Sequence, residues 1–175
     1  MVEKLETEHL ILRKALIKDL ESIYKNVWSD DSLTRYMLWS STQSLEEAKT
    51  RLENFIDFQS KNNVFFVCLK GTDEAIGFAG IKPDEQNPGV YNDCGICIAA
   101  KFQGKGYGKE VVIALSKLIF EELNGTKFHY SCFKDNIASS ALCKSLGFKY
   151  LGIVKKIRKR DNLEYDSKEY ELSRG

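Results

Sequence analysis

The 175-residue chain predicts one α/β domain, residues 1–175, with a mixed, mostly antiparallel twisted sheet. About seven strands and about four flanking helices can be counted from periodicity and turn signals. Two observations carry this. Three apolar strand runs follow one another through short turns, which requires antiparallel pairing. A strand, a glycine-rich loop, a helix, a strand and a second helix then follow in order, and such a crossover makes the flanking strands, around 94–98 and 127–133, parallel neighbours.

The elements follow in chain order. "HLILRKAL" (9–16) alternates as a strand does, and residues 17–28 place Leu20, Ile23, Tyr24 and Val27 at helical spacing. A second helix opens at Ser44 with a capping box, Ser44 to Glu47, and carries Leu45, Ala48, Leu52, Phe55 and Ile56 to Gln59. The strands "NVFFVCLK", "AIGFAGI" and "VYNDCGICIA" come next, with a Pro/Asn/Gly loop at 82–89 before the third. After the glycine loop, Val111, Val112, Leu115, Leu118 and Ile119 mark a helix that Asn124-Gly125 ends. "KFHYSCF", the helix "NIASSALCKSLGF" and a hairpin over 150–173 complete the chain.

Composition narrows the function. Lys plus Arg number 26 against 25 Asp plus Glu, a net charge of +1 without the basic excess that nucleic-acid binding usually brings. No apolar run is long enough for a membrane span, and the acidic, polar start is unlike a signal peptide, so a cytoplasmic location is expected. Five scattered cysteines point to free thiols in a reducing compartment. In "CGIC" (94–97), Cys94 and Cys97 stand three apart on a strand and should point to opposite faces, so no metal is expected there.

"KFQGKGYGKE" (101–110) has the composition of a phosphate cradle, because glycine lets backbone N–H groups approach an anion. It is not a triphosphate loop: Lys109 is followed by Glu110, and no glycine precedes at 103. Nor does it complete a dinucleotide fingerprint, since Lys109 occupies the third glycine position. What fits is an anion held at a helix N-terminus by amides and dipole. On the later helix, Asn136, Ser139, Ser140 and Cys143 share one arc opposite Ala138, Ala141, Leu142 and Leu146. That pattern suits a helix with one face on a ligand and the other on a core.

These motifs resemble the GNAT superfamily of acetyl-CoA-dependent N-acetyltransferases. "QGKGYG" (103–108) matches its Q/R-x-x-G-x-G/A motif, and "NIASSALCKSLGF" is similar to its later asparagine-to-Gly-Phe signature. "LETEHLILRKALIKDLESI" and "TRYMLWSSTQSLEEA" look like the branch containing the bacterial ribosomal-protein alanine N-acetyltransferases, so the resemblance spans nearly the whole chain. It implies a coenzyme A pyrophosphate on the amides of Gln103, Gly104, Lys105, Gly106, Tyr107, Gly108 and Lys109. It also implies a pantetheine arm paired with the backbone of Ile96, Cys97 and Ile98, and cofactor contacts from Asn136 and Ser139.

Direct transfer to an amine requires a neutral amine, a stabilised oxyanion and a thiolate that can leave. An N-terminal amine of pKa near 8 is about a tenth neutral at pH 7, and a lysine near 10.4 under about a thousandth. The oxyanion falls to a backbone N–H in 96–98. Where the family often has a tyrosine acid this chain has Cys143, with Ser139 as the alternative donor. Asp93 is the candidate base, provided that a bulge near Gly95 corrects a one-residue offset from the family's glutamate. Tyr36, Trp39 and Tyr91 are candidates to line the acceptor site. His129, alone in its strand, reads as structural, and "KKIRKR" (155–160) as a solvated hairpin face.

The expected activity is acetyl transfer to a protein N-terminal α-amine, with acetyl-CoA and the acceptor as partners, by a monomer or homodimer. The rivals are a small-molecule amine (amino acid, polyamine or aminoglycoside), a CoA-binding sensor without turnover, and, more distantly, a nucleotide-binding protein.

Overall fold

The computed structural model describes residues 2–175. Its strands are β1 (Lys4–Glu6), β2 (Leu10–Arg13), β3 (Asn63–Leu69), β4 (Ala75–Pro83), β5 (Val90–Ile98), β6 (Lys127–Phe133), β7 (Lys149–Arg158) and β8 (Leu163–Ser173). They form one sheet in the order β1-β2-β3-β4-β5-β6-β8-β7. Every pair is antiparallel except β5 with β6. The strand beyond the seven expected is β1, whose three residues, Lys-Leu-Glu, are too few for their alternation to read as a strand.

Four α-helices flank the sheet: α1 (Leu20–Ile23), α2 (Leu45–Gln59), α3 (Tyr107–Lys117) and α4 (Ile137–Ser145). The helix expected over 17–28 is a composite in which α1 lies between a 3₁₀ turn (Ile17–Asp19) and a π turn (Tyr24–Trp28). In α2 the Ser44 hydroxyl accepts from the Glu47 N–H at 3.1 Å, as the capping box predicts. The Glu47 carboxylate reaches one residue further back, to the Gln43 N–H at 3.0 Å.

The sheet divides the apolar residues into two clusters. On one face Phe65, Val67, Ile76, Phe128 and Tyr170 pack with Val111, Leu115 and Ile119 of the α3 segment and with Cys143 of α4. On the other, Phe66, Cys68 and Cys97 pack with Ile23, Val27, Trp28, Ala48 and Leu52 from the α1 and α2 segments.

The parallel pairing is shorter than the crossover argument expects. It runs only through Val90–Lys127, Tyr91–Phe128 and Asn92–His129, and residues 94–98 have no partner on β6. A bulge lies just beyond. Between the pairs Ile81–Asp93 and Ala79–Ile96, β4 advances two residues while β5 advances three. Gly95 takes φ +100° there, a backbone region that side-chain-bearing residues rarely enter. The extra residue bends β5 away from β6 and inverts its side-chain parity. Cys97 therefore faces the α1/α2 side while Cys94 lines the cleft on that same side, so the expectation of opposite faces fails. Both thiols are free.

Candidate active site

The parted strands open a cleft of about 960 Å³. Its walls come from β5, β6, β8, the start of α4 and the segment Tyr36–Trp39. Tyr36 and Trp39 line it, whereas Tyr91, one residue before the register pair at Asn92, packs into the cluster on the opposite face.

Asp93 stands at the point of divergence. Its Oδ2 accepts from the Gly95 N–H at 3.2 Å and its Oδ1 from the Ser131 N–H of β6 at 3.1 Å. One carboxylate thus bridges two strands whose own ladder has ended. Protein surrounds Asp93 densely although it keeps an opening to the cleft, and this burial raises its pKa in spite of the two amide bonds.

Beyond the bulge, β5 presents an unpaired edge. The Ala99 N–H donates to Ile76 of β4 at 2.7 Å, so by alternation the backbone polar groups of Ile98 and Ile96 face the gap. The Gln103 side chain confirms the direction by donating to the Ile98 carbonyl at 2.9 Å. The Ile96 backbone lies open toward the cleft.

The glycine loop continues from this edge into α3. Gly104 and Gly106 have φ of +78° and +82°, and a Cβ at either would meet open space, so the backbone conformation alone demands glycine. The amides of residues 104–109 find no acceptor among the described residues, and they cluster at the N-terminus of an 11-residue helix. Lys105 and Lys109 are exposed beside them. Glu110 anchors the first turn by accepting from Thr7 at 2.6 Å and from the His9 N–H at 3.0 Å.

On α4 the structure separates the residues that the helical wheel groups together. Asn136 is the N-cap, accepting from the Ser139 N–H at 3.2 Å, and both residues line the cleft. Ser140 and Cys143 instead form the packing face. Ser140 Oγ lies 3.7 Å from Cys132 Sγ of β6, and Cys143 is 1% exposed in the core. Ala138 and Ala141, expected against the core, face outward. Burial pushes the Cys143 thiol far above its ordinary range, and it does not border the cleft.

Two features escaped the sequence reading. Tyr130 of β6 lies in the cleft wall with its hydroxyl against that of Ser139, and burial raises its pKa. The second is a charged cluster on the floor. Glu169 Oε1 lies 3.5 Å from His129 Nε2 and accepts from Lys156 Nζ at 3.0 Å, while Oε2 accepts from Ser167 at 2.9 Å. Burial alone would raise the Glu169 carboxyl. Hydrogen bonds from His129, Ser131, Lys156 and Ser167 outweigh it and hold the pKa at about 2. The same pairing raises the His129 pKa. His129 is therefore not isolated, and Lys156 and Arg158 of "KKIRKR" point inward.

Among the described residues no group of three or more His, Cys, Asp or Glu side chains is placed to hold a metal, and no helix is long and apolar enough to cross a membrane.

Comparison with known proteins agrees with this geometry. The family described as "Acetyltransferase (GNAT) domain" matches residues 9–149. The uncharacterized N-acetyltransferase p20 of Bacillus licheniformis is 29% identical over 160 residues, covering 90% of this chain and 89% of that protein. An acetyltransferase of the GNAT family from Bacillus anthracis superposes with a TM-score of 0.83 at 22% identity, over 97% of this chain and 98% of the other. The microcin C7 self-immunity acetyltransferase MccE, solved with acetyl-CoA and AMP, gives 0.82 at 21% identity, over 96% and 94%.

Proposed function

The chain belongs to the GNAT acetyltransferase family, acyltransferases that draw on acetyl-CoA, and from that premise we propose that its acceptor is a protein N-terminal α-amine. The observation that carries this reading is the cleft itself. At about 960 Å³, walled by Tyr36, Trp39 and β8, it has room for the first residues of a chain behind the amine. The Asp93 carboxylate in its wall suits an amino group, whereas that of Glu169 is already paired with Lys156 and His129. An α-amine also needs little help to become neutral near pH 7.

Bound acetyl-CoA supplies an acyl thioester at one end and a diphosphate at the other. The free amides of residues 104–109, with Lys105 and Lys109, fit the diphosphate. The open β5 edge at Ile96–Ile98 fits an amide-bearing arm lying where a strand would, with Asn136 and Ser139 on the facing helix. The outward-facing Ile96 N–H is the donor for a carbonyl oxygen that gains charge. Asp93, whose raised pKa makes it a better base than an ordinary carboxylate, accepts the amine proton, through water where the fit is loose. Ser139, backed by the Tyr130 hydroxyl, donates toward the departing thiolate, the part assigned to Cys143 on sequence grounds.

The test is thiol release from acetyl-CoA with a panel of short peptides, amino acids, polyamines and aminoglycosides. Peptides with free N-termini should be turned over fastest, and blocking the terminus should abolish release. Faster turnover of any free small amine would overturn the assignment, and CoA binding without release above background would make the protein a sensor.

A further inference from the structure

We propose that Arg158 is a positioning residue for the acceptor, acting through the backbone of Thr34–Met37. The inference rests on reading the cleft as the acceptor site. It does not depend on which amine occupies it.

Arg158 ends β7, far in sequence from the acceptor wall, and is only 7% exposed. Its Nη1 donates to three carbonyls of one short segment: Thr34 at 3.4 Å, Arg35 at 3.0 Å and Met37 at 3.3 Å. Its Nε and Nη2 grip Asp161 Oδ1 at 3.0 Å and Oδ2 at 2.7 Å, which fixes the plane of the guanidinium. The group's carbon lies 5.6 Å from the centre of the Phe133 ring. Arg160 adds a bond to the Thr34 carbonyl at 3.0 Å.

Thr34–Met37 lies outside the sheet, running on from the last residue of the 3₁₀ turn Asp31–Thr34, so no strand ladder orders it. The carbonyls of Arg35 and Met37 have no other donor among the described residues. The next residues, through Trp39, form the cleft wall. Trp39 is secured from behind by the Phe78 ring at 6.0 Å and the Arg51 guanidinium at 5.0 Å. The Tyr36 ring has Phe133 at 6.1 Å and Met37 packs against the α1/α2-side cluster, but their backbone is held from the Arg158 end. A planar fork can serve the carbonyls and the carboxylate together, whereas a lysine's single ammonium cannot reach both sides. The hairpin β7–β8 therefore sets the position of the wall against which an acceptor lies.

The experiment is steady-state kinetics of Arg158→Lys and Asp161→Asn on the full chain, varying acetyl-CoA and acceptor separately, with thermal melts alongside. Arg158→Lys should raise the acceptor KM about tenfold or more while the acetyl-CoA KM stays within about twofold. Asp161→Asn, which leaves the arginine in place but frees its head, should show the same split at about threefold. Equal movement of both KM values, or of neither, would overturn the proposal. If Arg158→Lys fails to fold, Asp161→Asn decides by the same criterion. Should the wild type acetylate a small amine and no peptide, the N-terminal reading falls, and the split is then measured on that amine.

Discussion

Asp93→Ala should loosen the seam at which β5 and β6 separate. The carboxylate accepts two backbone N–H groups, from Gly95 at 3.2 Å and Ser131 at 3.1 Å, for which no loop or turn carbonyl serves as an alternative among the described residues. Hydrogen bonds to a charged group contribute about 1.5–3 kcal/mol each. Both bonds are long and border an open cleft, so the lower end applies, giving about 3 kcal/mol for the pair. The burial that raises the Asp93 pKa shows that the ionised form is itself disfavoured, which offsets part of this gain. A net loss of about 2 kcal/mol is expected, or about 4–8 °C in Tm for a chain of this size. The acetyl-CoA KM should rise with it, because the edge at Ile96–Ile98 is no longer fixed in position relative to β6. Asp93→Asn adds a check on sign. Folding raises the pKa, so the folded chain keeps the proton longer, and the ionisable side chain contributes most below about 4. That contribution is lost as pH rises through the raised value, and Asp93→Asn should lack this decline. An Asp93→Ala protein with unchanged Tm and unchanged acetyl-CoA KM would refute the bridging role. A pH–rate profile unaltered in Asp93→Asn would separately remove Asp93 as the base.

Other consequences follow from the same geometry. Gly106→Ala places a Cβ at φ +82°, costing about 1–2 kcal/mol, and should raise the acetyl-CoA KM with little effect on the acceptor KM. Cys143→Ala should lower stability by about 1–2 kcal/mol through a core cavity and leave kcat near wild type, whereas Tyr130→Phe should lower kcat. Glu169, held at about 2, stabilises the fold above its unfolded value near 4.5 and loses that contribution as pH falls toward 2. Urea melts of Glu169→Gln should therefore show a loss of about 3 kcal/mol at pH 7 that nearly vanishes at pH 2.

The order of the elements was legible because apolar periodicity and turn residues report local geometry directly. The glycine loop was legible for a related reason: Gly104 and Gly106 occupy backbone conformations that other residues avoid, so chemistry there is written into residue type. Partnership between distant segments is not written that way. Alternation in "VYNDCGICIA" predicts a strand but not where its neighbour departs, and the departure depends on one bulge and one carboxylate. The face of α4 was misjudged because Ser140 and Cys143 look polar in a list of residue types. In this fold they are the small groups that allow the helix to approach β6. Glu169 lies in a strand rich in charge, where nothing local distinguishes a buried carboxylate from a solvated one. Its significance appears only when β6 and β7 bring His129 and Lys156 to it.

The short register between β5 and β6 also bears on how the molecule responds to its co-substrate. Among the described residues the β5–β6 ladder is three residue pairs long, with Thr126 and Lys127 N–H groups on the Gly89 carbonyl at one end and the Asp93 carboxylate at the other. Considered as a ladder, the sheet is missing part of one rung set, and an amide-bearing arm laid along Ile96–Ile98 would supply it. Acetyl-CoA would then act as a structural insert as well as a reactant, extending a backbone ladder that is otherwise short between β5 and β6. The amides around the split should exchange with solvent more slowly when it binds, in the manner of a strand that has found its neighbour.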